Sequence, residues 1–278
     1  MRRGRAGLAL AAPALLFTAL FFLVPLAVMA VQSLGQRVAG KPLPGRTLAN
    51  YARFLDKDYF HQALVNSLEV TVLVTLASLV LAYPLAWIIA FRVPQRWQRV
   101  ALLLAILPFW TSYLVRSYSW LLVLSPEGVV PSALRALGLD LGLPLVSNRT
   151  GTVIGFVHFF TMLLTLTIYA SLVQIPPSCL RAAADLGASP WQAFWRVTLP
   201  LSAPGIVVGA FLTFVLTIGD YITPQILGGN RELLLPQAIM LQIGRQADFP
   251  MAAALSLILM LVISLAYLAC ARWLRLGR

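Results

Sequence analysis

Six long apolar runs separated by shorter polar segments dominate the pattern of the chain. They cover residues 8–31, 63–91, 100–122, 151–173, 204–221 and 250–273. A helix needs about 20 apolar residues to cross about 30 Å of hydrocarbon. The pattern therefore predicts an all-α membrane protein with six transmembrane helices. The polar segment 174–203, between spans 4 and 5, is predicted to lie outside the bilayer.

Composition agrees with this architecture. Of the 278 residues, 60% are hydrophobic and 11% are charged, and the mean hydropathy is +0.85. Soluble globular domains carry about 25% charged residues, so that class is excluded. The formal net charge of +12 comes from arginines at the ends of the apolar runs. That distribution points to membrane lipid rather than nucleic acid as the surrounding partner.

The density of arginine predicts the orientation. Short arginine-rich segments are retained in the cytoplasm. They occur at both termini and between spans 2 and 3: Arg2, Arg3, Arg5; Arg92, Arg96, Arg99; Arg272, Arg275, Arg278. We therefore expect a multi-pass protein with both termini cytoplasmic. The first apolar run exceeds the apolar core of about 7–15 residues in a signal peptide, so we expect it to be retained as a span.

Segment 174–203 contains two helix signals around one turn. Ala182, Ala183 and Ala184 favour a helix, and Gly187 suits a left-handed stop after it. Ser189, followed by Pro190 and then Gln192, forms the pattern of a capping box with proline at the first helical position. The segment is predicted to form helix, tight turn, helix.

This segment resembles the cytoplasmic loop of the membrane-spanning subunits of ATP-binding-cassette (ABC) importers. The family pattern is Glu-Ala-Ala, three residues, Gly, nine residues, Ile, one residue, Leu-Pro. The positions that fall on its spacing are Ala182, Ala183, Gly187, Val197, Leu199 and Pro200, whereas Arg181 replaces the family's glutamate. The alternative is an ordinary amphipathic loop between spans.

The resemblance implies the type I ABC importer permease fold, with residues 1–278 as one transmembrane permease domain. It also implies that segment 174–203 contains a coupling helix that docks on an ATPase subunit. The expected coupling residues are Arg181, Ala182, Ala183, Asp185, Gly187, Leu199 and Pro200. Asp185 could pair with a basic residue of the ATPase or remain a solvated helix charge.

Two further stretches, Leu107 to Trp120 and Gly219 to Gly229, resemble the spermidine/putrescine-type branch of this family. This resemblance implies a polyamine as the solute and the bacterial inner membrane as the location. It also implies three kinds of partner: a second, similar but distinct permease subunit, two ATPase subunits and an extracytoplasmic binding protein. ATP and Mg would be bound by the ATPase, with no cofactor in this chain.

Catalytic motifs do not occur in the sequence. It has no Gly-x4-Gly-Lys-Ser/Thr phosphate cradle, no His-Glu-x-x-His and no nucleophile elbow. Cys179, Cys270, His61 and His158 show no metal-ligand spacing. The chain is therefore expected to be a non-catalytic membrane subunit with no metal site, driven by a partner's ATP hydrolysis.

Three charged residues lie within or at the end of apolar runs: Glu69, Arg116 and Asp220. A charge at the centre of a membrane helix costs about 2.5–3.5 kcal/mol on insertion scales, so such residues usually face a bundle interior or a cavity. Glu69 and Arg116 could pair to hold helices together or could line a substrate pathway. Asp220, beside Tyr221, could hold a cationic substrate or lie at the outer interface.

Aromatic residues accompany Arg116 in span 3. Trp110, Tyr113, Tyr118 and Trp120 could stack on an ammonium group, or they could form an interfacial aromatic belt. Two alternatives to a polyamine importer remain: an importer permease for another small solute, and a stand-alone ion-coupled carrier. Carriers commonly contain two repeated halves with broken helices, and no such repeat is visible in the sequence.

Overall fold

The computed structural model describes residues 11–38, 41–139, 145–229 and 232–275. The helices are α1 (Ala11–Ser33), α2 (Ala49–Asp56), α3 (Asp58–Phe91), α4 (Gln95–Ile106), α5 (Tyr113–Leu124), α6 (Val129–Ala136), α7 (Arg149–Leu172), α8 (Pro177–Asp185), α9 (Pro190–Ile218), α10 (Leu235–Gly244) and α11 (Phe249–Arg275). A hairpin of β1 (Gly35–Val38) and β2 (Lys41–Arg46) follows α1. The first ten residues, with the start of predicted span 1, and the arginines at 2, 3, 5 and 278 lie outside the described residues.

Five helices are long and apolar enough to cross a membrane: α1, α3, α7, α9 and α11. They coincide with predicted spans 1, 2, 4, 5 and 6. A sixth crossing requires the bent pair Gln95–Trp110 and Tyr113–Ala136 to count as one span. The chain is thus a predominantly helical membrane protein with five or six candidate spans.

Predicted span 3 is not one continuous helix. Its two halves, on either side of residues 111–112, meet at a bend of 90°. Pro108 lies in a short 3-10 helix, Leu107–Trp110, and the backbone turns extended at Thr111 and Ser112. Proline lacks an N–H group and its ring crowds the carbonyl four residues earlier, so a helix breaks or kinks there.

The helix that contains predicted span 5 begins before the predicted start of the span. The structure begins α9 at Pro190 rather than at Pro204, and the helix continues through Pro200. A π turn at Phe194–Thr198 precedes that proline, and the Leu199 N–H bonds to the Phe194 carbonyl. The Ser202 hydroxyl donates to the Leu199 carbonyl at 3.1 Å. A π turn is one of the local adjustments with which a membrane helix accommodates a proline.

The described chain divides into two compact units. The first contains residues Met1–Gln62 and Leu235–Leu261. In it, the hairpin and α2 connect α1 to the start of α3. The Arg53 guanidinium forms a salt bridge with Asp248 at 3.0 Å. Asp248 also caps α11 by accepting from the Met251 N–H at 3.2 Å.

The second unit contains Ala63–Leu234 and Val262–Arg278. Its core forms between α3, α7 and α9, where buried residues include Ala86, Leu164 and Ile168. The Tyr83 hydroxyl of α3 lies 3.1 Å from the Ser202 hydroxyl of α9. Gly205 and Gly209 on α9 are buried against α7. This Gly-x3-Gly spacing lets two membrane helices approach closely.

Candidate functional site

The break in span 3 organises a polar cluster in the second unit. The Pro108 carbonyl accepts from the Thr111 hydroxyl at 2.7 Å and from Arg116 Nη1 at 3.1 Å. These donors replace bonds that a continuous helix would have supplied to its own carbonyls. A buried charge on the second half of the span therefore stabilises the end of the first half.

Arg116 is 8% exposed and is held by aromatic rings as well as by that carbonyl. Its Cζ lies 4.2 Å from the centre of the Phe159 ring and 5.3 Å from that of Tyr113. Phe159 in turn stacks on Phe109 at 5.1 Å. A desolvated cation–π contact contributes about 2 kcal/mol or more. The aromatic faces and the Pro108 carbonyl together accommodate the guanidinium.

The proposed pairing of Glu69 with Arg116 is wrong. Glu69 Oε2 instead accepts from Arg149 Nη2 at 2.6 Å, and Arg149 Nε lies 3.8 Å from Glu232. Among the described residues, no carboxylate forms a salt bridge with Arg116. Hydropathy places a charge within a span but does not specify its direction around the helix, and Arg149 at the start of α7 faces Glu69.

Asp220 lies two residues after the end of α9 at Ile218 and is half-buried. Its Oδ1 accepts from the Ile222 N–H at 2.8 Å, and its Oδ2 accepts a hydrogen bond from the Tyr113 hydroxyl. That hydroxyl also contacts the hydroxyl of Thr223, which is buried. An ionised carboxylate has about four acceptor sites. Asp220 thus retains acceptor capacity after these two bonds.

No arginine, lysine or histidine in the described ranges forms a salt bridge with Asp220. Tyr113 connects the carboxylate to the aromatic cluster, because its ring lies edge-on to Phe159 at 5.8 Å. The arrangement fixes a half-buried carboxylate next to an aromatic cluster whose Phe159 ring is already covered by Arg116 and Phe109. Sequence reasoning did not identify Thr223 or Phe159, although Thr223 lies within the stretch that resembles the polyamine branch.

The other predicted pathway residues are placed differently. Trp110 is 81% exposed at the break, and Tyr221 is exposed beside Asp220. Trp120 donates from Nε1 to His158 Nδ1 at 3.2 Å, so its polar edge is already occupied. Within the described residues, no group of three or more His, Cys, Asp and Glu side chains is arranged to hold a metal ion.

In segment 174–203, the predicted helix, tight turn and helix are present. Gly187 has φ +77°, and the N–H groups of Gly187 and Ala188 turn back to bond the carbonyls of Ala184 and Ala183 in the last turn of α8. The capping box is complete, since Ser189 and Gln192 bond each other's backbone N–H. The second helix is not separate, however, because it is the first part of α9.

The predicted coupling residues differ in exposure. Ala183 is buried, and Leu199 is half-buried. The exposed ones are Arg181, Ala182, Asp185, Gly187 and Pro200. Two large apolar side chains are also strongly exposed, Leu186 at 88% and Trp191 at 68%. Leu186 precedes Gly187, and Trp191 lies between the two capping-box residues; the sequence analysis selected neither. Exposed apolar side chains grouped around a rigid turn are typical of a surface that another protein covers.

Comparison with known proteins identifies the family. The model of the family described as "Binding-protein-dependent transport system inner membrane component" matches residues 82–275. The chain is 37% identical over 246 residues to the inner membrane ABC transporter permease protein YdcU of Escherichia coli K12, covering 84% of this chain and 77% of the relative. It is 36% identical to the spermidine/putrescine transport system permease protein PotB of the same organism, covering 79% of each chain.

A solved structure shares the fold. The bacterial alginate ABC transporter in complex with an alginate pentasaccharide-bound periplasmic protein contains a chain that superposes with a TM-score of 0.77. The two chains are 18% identical, and the alignment covers 100% of this chain and 96% of the other. The fold is therefore that of the ABC importer permeases. By the extent of the family match and by these identities, the chain belongs to the binding-protein-dependent transport system inner membrane components.

Proposed function

We propose that this chain is the transmembrane permease subunit of an ABC importer that carries a polyamine of the spermidine or putrescine type. The observation that carries the proposal is the half-buried Asp220 carboxylate, which is fixed by Tyr113 and the Ile222 N–H without a salt bridge among the described residues. The names of the PotB relatives favour the same class of solute.

The chemistry of the solute supports a role for this carboxylate. Each ammonium group of a polyamine loses hydration when it enters a membrane protein, and a carboxylate or an aromatic face must replace part of it. Asp220 supplies the charge, whereas the Phe159 ring is already covered by Arg116 and Phe109, so aromatic faces for the solute come from exposed rings such as Trp110 and Tyr221. Arg116 shapes the aromatic cluster by holding the broken span.

The proposed assembly has a second, distinct permease subunit, two ATPase subunits that bind ATP and Mg, and an extracytoplasmic binding protein. In this arrangement the chain crosses the bacterial inner membrane six times, with the bent pair as span 3 and both termini in the cytoplasm. The coupling segment then faces the ATPase. Its turn presents Ala182, Asp185, Leu186 and Gly187 as the docking surface, with Arg181 beside them.

ATP binding would favour one of two existing conformations of the permease pair through its differential affinity for them. The segment 174–203 is suited to transmit that change, because its Gly187 turn and capping box fix α8 against the start of α9. Since α9 continues without interruption to Ile218, a displacement at the coupling segment acts directly on the helix that ends beside Asp220.

The test of the polyamine assignment is uptake of radiolabelled spermidine into proteoliposomes that contain the whole transporter. Asp220→Asn keeps the shape of the side chain and removes its charge, so we expect uptake to fall at least tenfold. Asp220→Glu should retain more uptake. The matched control is Asp56→Asn, an exposed aspartate at the end of α2. Normal uptake by Asp220→Asn would contradict the role of this carboxylate.

Two alternatives give different outcomes in the same vesicles. An importer for another solute would show ATP hydrolysis stimulated by its own loaded binding protein but no spermidine uptake. An ion-coupled carrier would transport on an ion gradient alone, without the ATPase subunits. Transport that persists without those subunits would overturn the importer proposal itself.

A further inference from the structure

Helix α2 (Ala49–Asp56), in the first unit, has one buried face and one exposed apolar face. Asn50 and Phe54 are buried. Leu48 at the helix start is 68% exposed and Leu55 is 70% exposed, and Ala52 between them is also exposed. Tyr59, one turn further along at the start of α3, is 46% exposed. Spacings of four and three residues place Leu48, Ala52 and Leu55 in one row along α2, whereas Tyr59 follows the extended residue Lys57 and belongs to α3.

The buried side of α2 is attached to the end of α1. Asn50 Nδ2 donates to the carbonyls of Ser33 at 2.8 Å and Gly35 at 2.9 Å. The Tyr51 hydroxyl lies 2.8 Å from the Ser33 hydroxyl. Ser33 is the last residue of α1 and is 1% exposed. These contacts fix the position of α2 relative to the end of α1, and they also fix the rotation of α2 about its own axis.

The same helix is attached to the start of α11. Arg53 forms its salt bridge with Asp248, which immediately precedes Phe249, the first residue of α11. Residue Asp58, two positions after α2, begins α3. Helix α2 therefore lies at the level where one candidate membrane helix ends and two others begin.

We propose that α2 lies in the membrane–water interface, with the row Leu48, Ala52 and Leu55 inserted at the boundary between lipid acyl chains and headgroups and with Tyr59 beside the end of the row. A short helix with an apolar row on one side and polar contacts on the other is suited to this position. Tyrosine at the edge of the row is typical of the interface, because its ring is apolar and its hydroxyl is polar.

Continuity with the lipid-facing surface favours lipid over a protein partner. Residues of α1 approaching its end at Ser33 are exposed, including Val28 and Val31 at 50% each, and Phe249 at the start of α11 is 54% exposed. The apolar row of α2 thus lies at the same level as apolar surface that the bilayer covers. Charged residues follow directly: Asp56, Lys57 and Asp58 close the row on the side of water.

The test is spin-label accessibility in lipid nanodiscs. Cys179 and Cys270 are first replaced by serine, and a nitroxide is attached to Leu48→Cys, Leu55→Cys or Asp56→Cys in separate variants. We expect molecular oxygen to relax the labels at positions 48 and 55 several times more strongly than the water-soluble nickel chelate NiEDDA does. The label at position 56, exposed on the same helix but outside the row, should show the opposite ratio.

Two results would overturn the proposal. NiEDDA access at positions 48 and 55 equal to that at position 56 would place the row in water. Oxygen preference that appears only after the binding protein or the second permease subunit is added would assign the row to a protein interface. Neither result depends on which solute is carried, so the outcome is independent of the spermidine uptake test.

Discussion

Replacing Gly205 or Gly209 by alanine should destabilise the contact between α7 and α9, and by different amounts. A Cβ at Gly205 would lie 2.5 Å from the Thr167 carbonyl oxygen of α7, which is backbone and cannot rotate away. A Cβ at Gly209 would meet side-chain atoms instead, including the Leu164 methyl carbon Cδ2 at 2.8 Å. A methyl group at position 205 therefore forces the two helices apart. A methyl group at position 209 can be accommodated by a change of rotamer in the neighbouring side chains.

The expected loss of stability follows from the cost of adding a methyl group to a well-packed interior. One added methyl group that forces a backbone shift costs about 1–3 kcal/mol. In a domain of this size each kcal/mol lowers the melting temperature by about 2–4 °C. We expect Gly205→Ala to lie at the upper end, at roughly 6–12 °C, and Gly209→Ala at the lower end, at roughly 2–4 °C.

The assay is the temperature at which the purified protein in detergent loses half of its monodisperse peak in gel filtration. Gly244→Ala is the matched control, since a Cβ there meets no atom within 4 Å. It should change the melting temperature by less than about 1 °C, as ordinary surface substitutions do. If Gly205→Ala proved as stable as Gly244→Ala, the close approach of α7 and α9 would not exist in the membrane.

Two more outcomes are expected. Gly187→Val should leave the protein inserted but reduce co-purification of the ATPase, because a β-branched residue cannot adopt φ +77° cheaply; unchanged co-purification and unchanged substrate-stimulated ATP hydrolysis would argue against docking at this turn. Glu69→Gln should change spermidine uptake less than about threefold, because its partner is Arg149 and exposed ion pairs contribute about 0–1 kcal/mol. Uptake as low as in Asp220→Asn would instead place Glu69 in the pathway.

The elements that were predictable from sequence are those set by local chemistry. The bounds of the membrane helices follow from the apolar runs. For this reason α3, α7 and α11 begin within about five residues of the predicted starts of their spans. The turn at Gly187 and the capping box of Ser189 and Gln192 depend on residues within one helical turn of each other. These features can be predicted without knowing which other elements pack against them.

The elements that were missed depend on direction or on distant partners. Hydropathy reports that residues 100–122 are apolar but not that Pro108 turns the chain by 90° in their middle. Span 5 was predicted to start at residue 204, whereas the helix that contains it begins at Pro190 and includes a π turn at Phe194–Thr198. Glu69 was predicted to pair with Arg116 as one alternative, but its partner is Arg149. Arg149 lies 80 residues away in the chain, so local sequence does not indicate this contact.

The break in span 3 also explains why Asp220 is available. Arg116 and Asp220 both contact Tyr113, the arginine through the ring and the aspartate through the hydroxyl. At the break, the Pro108 carbonyl and the Phe159 ring hold the Arg116 guanidinium. Among the described residues Arg116 forms no salt bridge with Asp220, so the carboxylate keeps acceptor sites beyond its bonds to Tyr113 and Ile222. The broken span and the acceptor capacity of Asp220 are thus connected through the position of Arg116.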